Sequence, residues 1–139
     1  MAPPSVLLVE DEDAIREALE AALRAAGFAV RTIPLAAELF DALQRGTPDV
    51  IVLDLGMPQR SLQGMEALTL LRRIDVWRTI PVIILSAFGD IVNRGITQRL
   101  GVADVITKPL DADVLIACVQ RVAADKPSPS HLRLRKLGL

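Results

Sequence analysis

Four short segments in this chain each run into a residue able to do chemistry. Val6–Val9 leads into Glu10 and Asp11, Val50–Leu53 into Asp54, Ile80–Leu85 into Ser86, and Asp104–Thr107 into Lys108. Asp54 is the centre of the set, because Gly56 and Pro58 cannot prolong a strand and so leave its carboxylate at the end of the run. Carboxylates brought together repel unless a cation joins them. Hard oxygen ligands from a few acids, with water completing the shell, suit Mg²⁺ better than any softer metal. In that company Asp54 is a nucleophile, since a carboxylate that attacks phosphorus forms an acyl phosphate. The metal and Lys108 would take up phosphoryl charge, and the Ser86 hydroxyl would donate to a phosphoryl oxygen. Taken singly, Asp54 reads as a turn residue, Ser86 as a turn hydroxyl and Lys108 as a surface charge, while Glu12 and Asp13 complement a helix dipole. The order of all four at successive segment ends favours the chemistry.

The elements needed to position them follow from periodicity. Val6–Val9, Ala29–Ile33, Val50–Asp54, Ile80–Leu85 and Asp104–Thr107 read as strands, and the continuous apolar runs suit strands buried on both faces of a parallel sheet. Helical spacing begins at Asp11, with Ile15, Leu19, Ala22, Leu23 and Ala26 on one face, and stops at Gly27. A second helix is predicted over Leu35–Arg45 with Leu35, Leu39 and Leu43 inward. After a polar loop from Gln59 to Gln63, a third starts at Gly64 and turns Ala67, Leu70, Leu71 and Ile74 inward. Asp90–Leu100 is a weaker helix, its interior Gly95 costing about 1 kcal/mol relative to Ala, and Asp111–Ala124 is the last. Five alternations of strand and helix imply right-handed crossovers and a three-layer αβα sandwich with a five-stranded parallel sheet. In open sheets of this kind ligands bind at the carboxyl ends of the strands, where the four residues stand.

Composition narrows the function classes. With 139 residues, 51% of them hydrophobic, and a net charge of −1, the chain fits one globular domain over residues 1–124, followed by a linker or tail over 125–139. A near-neutral balance argues against nucleic acid as a partner, no apolar run reaches membrane-spanning length, and Met-Ala-Pro-Pro-Ser lacks the regions of a signal peptide. A cytoplasmic location is expected. The single cysteine, Cys118, falls at core spacing with Leu115, Val119 and Val122, and the single histidine, His131, lies in the tail. Trp77 reads as partial surface packing, and Val114 and Ile116 as exposed apolar residues that hint at a homodimer or partner surface.

These motifs together resemble the receiver domain of two-component response regulators, from Val6 to about Ala124. Leu-Leu-Val-Glu-Asp-Glu is similar to that family's acidic turn, Val-Leu-Asp-Leu-Gly-Met-Pro to its phosphoacceptor strand, Leu-Ser-Ala to its switch hydroxyl, and Ile-Thr-Lys-Pro to its lysine motif. The resemblance implies a flavodoxin-like doubly wound fold with strand order 2-1-3-4-5 and a cis Lys108–Pro109 bond. It further implies that Asp54 accepts phosphate from a histidine kinase or phosphotransfer protein. Mg²⁺ would be held by Asp11, Asp54 and the Gly56 carbonyl, with Glu10 reaching it through water. No catalytic turnover on outside substrates is expected, because Gly56 occupies the place where aspartyl phosphatases carry a second aspartate. The output would be a missing domain or a downstream protein.

Three departures from the family pattern matter. The loop after Pro58 is longer than usual, Val105 replaces the usual switching aromatic, and Phe88 stands where side chains flank the attacking water, which predicts slow hydrolysis. Val105 also motivates the rival reading, a receiver-shaped interaction module that does not signal by phosphate.

Overall fold

The computed structural model describes residues 2–56, 58–87 and 98–125, with the main chain alone for 58–62. The strands are β1 (Ser5–Val9), β2 (Ala29–Ile33), β3 (Val50–Asp54), β4 (Val82–Ser86) and β5 (Asp104–Thr107). The helices are α1 (Asp13–Ala25), α2 (Leu39–Arg45), α3 (Pro58–Leu71) and α4 (Ala112–Asp125). All strand pairs are parallel, in the order β2-β1-β3-β4-β5.

Strand pleating explains why the central runs are apolar throughout. Val6, Leu8, Val50, Val52, Ile83 and Leu85 point to one face, where Leu19 and Leu23 of α1 and Leu115, Cys118, Val119 and Val122 of α4 cover them. Leu7, Val9, Ile51, Leu53, Val82 and Ile84 point to the other, against Leu39 and Leu43 of α2 and Ala67, Leu68 and Leu71 of α3. The edge strands β2 and β5 are less completely buried. At the edge of the sheet opposite Asp54, Ser5 and Asp49 lock β1 to the start of β3, with the Ser5 amide donating to Asp49 Oδ2 at 2.8 Å and the Asp49 amide to Ser5 Oγ at 3.1 Å.

Several predicted boundaries move. Residues 59–63 are helical instead of a polar loop, because Pro58 opens α3 at a position where its missing N–H costs nothing and its fixed φ suits the helix. The inner face of α3 carries Leu68 in place of Leu70, which is exposed, and Ile74 lies beyond the helix. Gly64 lies on that inner face, and a Cβ there would come within 2.6 Å of Leu55 Cδ2, so α3 packs against the end of β3 more closely than a side chain permits. The helix predicted from Leu35 is a 3₁₀ turn, Ala36–Glu38, followed by α2. Leu35 itself is extended and exposed. Ile80 is buried but precedes β4, which continues to Ser86.

The last helix begins after Asp111, whose Oδ1 accepts the Asp113 amide at 3.0 Å as an N-cap. Val114 is exposed, whereas Ile116 packs against the core. Trp77 is half-buried against Phe40, with ring centroids 5.9 Å apart. Phe88, the Gly95 region and the 126–139 tail lie outside the described residues. Among the described residues, no helix is long and apolar enough to cross a membrane.

Candidate phosphoacceptor and metal site

Register assembles the site. Val9 pairs with Leu53, so Glu10 and Asp11 leave β1 beside Asp54. Asp54 pairs with Leu85 and Ser86 with Thr107, so Ser86 and Lys108 emerge at the same edge. Three main-chain bonds carry the ladder one step further: Glu10 N to Ile33 O at 3.1 Å, Leu55 N to Leu85 O at 2.9 Å, and Lys108 N to Ser86 O at 2.8 Å. The Lys108–Pro109 peptide is cis.

Among the described residues, Asp54 holds two donors. Its Oδ1 accepts the Gly56 amide at 2.7 Å, and its Oδ2 accepts the Lys108 ammonium. Gly56 sits at φ +62°, in the left-handed region that favours glycine, which allows the chain to fold back onto the carboxylate. The Asp54 side chain is 1% exposed, so what exposure the residue has belongs to its main chain.

Glu10 is also 1% exposed. Its Oε1 accepts the Glu12 amide at 3.3 Å, while its Oε2 is buried without a hydrogen bond, 3.6 Å from Lys108 Nζ. Asp11 is exposed at the mouth of the site. Glu10, Asp11 and Asp54 each offer an oxygen within 4.8 Å of the others. The three acids share the site with the Lys108 ammonium, and the Glu10 oxygen without a hydrogen bond is buried there. This all-oxygen set fits a hard divalent cation. Ser86 is buried at the end of β4.

Arg16 was not marked by the sequence reading. From the first turns of α1 its Nη1 donates to the Glu10 carbonyl at 3.1 Å and its Nη2 to Asp13 Oδ1 at 2.5 Å. The i,i+3 spacing from Asp13 was the available signal. An apolar groove borders the site on the α1 side, lined by Ile15, Ala18 and Leu19 of α1 and by Lys108, Pro109 and Leu110.

The family model described as the response regulator receiver domain matches residues 6–120. Transcriptional regulatory protein CseB of Streptomyces avermitilis is 39% identical over 117 residues, covering 84% of this chain and 48% of that protein. DNA-binding transcriptional regulator NtrC of Escherichia coli is 35% identical over 133 residues, covering 93% of this chain and 27% of that protein. The chain thus spans about half or less of the curated relatives it matches. Among solved structures, the Francisella response regulator 1452 receiver domain superposes with a TM-score of 0.77 at 29% identity, over 89% of this chain and 99% of that one. Chemotaxis protein CheY4 of Vibrio cholerae does so with a TM-score of 0.77 at 26% identity, over 87% and 99%.

Proposed function

The chain belongs to the response regulator receiver domain family of two-component systems, and from that membership we propose that Asp54 is its phosphoacceptor, charged from the phosphohistidine of a histidine kinase or phosphotransfer protein. The observation that carries this reading is the pairing of Asp54 Oδ2 with Lys108 beside the buried, unbonded Glu10 oxygen. Asp11, Asp54 and the Gly56 carbonyl would hold Mg²⁺, with Glu10 acting through water. Bound there, the ion would neutralise the acids and polarise the incoming phosphoryl group.

The chain's own residues do the rest. The Gly56 amide fixes the Asp54 carboxylate through Oδ1, which leaves Oδ2 to pair with Lys108. Release of Oδ2 by Lys108 frees a lone pair to bond phosphorus as the phosphorus–nitrogen bond to imidazole breaks, the imidazole keeping the electron pair. Lys108 then pairs with the transferred phosphoryl oxygens, and the Ser86 hydroxyl donates to one of them. The groove lined by Ile15, Leu19 and Pro109 lies beside Lys108 and suits an apolar helix of the phosphodonor protein. The domain turns over no outside substrate, and its output passes through a further domain or a downstream protein, or through a homodimer.

The test is intact mass after incubation with a small-molecule phosphodonor and Mg²⁺. Native protein gains one phosphoryl group and Asp54→Ala gains none. Native protein that stays unmodified would leave the rival reading, a phosphate-independent interaction module, which Val105 in place of a switching aromatic favours.

A further inference from the structure

We infer that Arg16 is a positioning residue for the metal-binding acids, acting as a staple across the turn from Glu10 to Asp13. This rests on the Mg²⁺ site proposed above. The Glu10 amide is held by Ile33 O at 3.1 Å, and on the other side of the residue the Glu10 carbonyl accepts Arg16 Nη1 at 3.1 Å. The main chain at Glu10 is thereby fixed from β2 on one side and from α1 on the other. The second arm of the guanidinium reaches Asp13 Oδ1 at 2.5 Å, so the fork spans the segment that carries Asp11. Arg16 is 19% exposed and Asp13 81%, which makes the arginine the anchored partner and Asp13 the solvated one. Within the segment the Glu12 amide reaches Glu10 Oε1 at 3.3 Å, and the Arg16 amide makes the helical bond to Glu12 O at 2.8 Å. The guanidinium bond to Glu10 O ties the acidic turn to α1 at its strand end.

The charge of Arg16 makes the inference decidable by sign. A guanidinium bonded to the main chain of Glu10 repels a dication bound by the neighbouring acids, so removal of the charge alone would tighten Mg²⁺ binding. Removal of a positioning contact does the opposite, because the Glu10 and Asp11 oxygens lose their fixed orientation toward Asp54. Loss of an i,i+3 surface pair alone would shift stability slightly and leave metal affinity where it was.

Mg²⁺ titration by calorimetry on the full chain distinguishes these. Arg16→Ala is expected to raise the Mg²⁺ dissociation constant by about tenfold, with circular dichroism confirming that the variant, carrying the best helix former, remains folded. Arg16→Lys, which keeps the charge but cannot fork between two acceptors, is expected to shift in the same direction by less, and it decides the matter if Arg16→Ala does not fold. An unchanged or smaller dissociation constant in the folded variant overturns the role. Native protein without saturable Mg²⁺ binding overturns the metal site itself, and the Arg16 role with it, so the two failures are read apart.

Discussion

Asp54 meets two donors at very different separations along the sequence: Gly56 two residues on, and Lys108 at the end of another strand. The first contact is local and was readable from the turn residues. The second exists because β3, β4 and β5 are neighbours in register. Cys118 shows the same contrast in a residue with no proposed chemistry. It is 5% exposed, and its Sγ lies 3.4 Å from Asp104 Oδ2, which also accepts Arg121 at 2.7 Å. Burial and the neighbouring Asp104 push the thiol up to about 11 from an ordinary value of 9.0. The folded state thus favours the neutral thiol. The stability it contributes is intact below the unfolded value and is lost as pH rises through 9 toward 11. At pH 8, alkylation of Cys118 by iodoacetamide is expected to be slow in native protein and fast in urea. Equal rates would refute the assignment of an inert core thiol.

At the scale of elements, strands were more legible than helix ends. Short runs bounded by Gly and Pro located β1, β2, β3 and β5 to within a residue, whereas β4 was placed two residues early because Ile80 is as apolar and buried as the strand it precedes. The start of α3 was missed because a proline reads as a breaker when its role as a first helical residue depends on what precedes it. Leu70 and Leu68 are both compatible with a helical stripe, and the close approach of Gly64 to Leu55 decides which one turns inward. Arg72, just past α3, was invisible as a structural residue. Its guanidinium donates to Leu100 O at 2.6 Å, Ile80 O at 2.7 Å, Arg78 O at 2.9 Å and Gly101 O at 3.3 Å, clasping the approaches to β4 and β5. Arg72→Ala is expected to cost about 1.5–3 kcal/mol of unfolding free energy, the range for a bond to a charged donor. It should also speed amide exchange around residues 78–81 and 100–103. A denaturation midpoint equal to that of the native protein would show that the clasp contributes nothing.

For the whole molecule, the proposed metal site predicts a linkage between metal and fold. An ion bound only by the native state raises the melting temperature, by an amount equivalent to about 2.7 kcal/mol at a hundred times the dissociation constant. Millimolar Mg²⁺ is therefore expected to shift the thermal transition upward by several degrees, reversed by EDTA. A transition that ignores the ion would count against the acidic set of Glu10, Asp11 and Asp54 as a metal site. The sequence by itself determined the alternation of strands and helices and the residue types at four strand ends, because periodicity and turn chemistry are local properties of the chain. Only the tertiary structure decided that Lys108 reaches Asp54, that Glu10 is buried with an oxygen lacking a hydrogen bond, and that Arg16 donates to the Glu10 carbonyl. They depend on strand order, on register and on where α1 starts after β1, and the Lys108–Asp54 pair joins residues 54 positions apart whose proximity no single segment encodes.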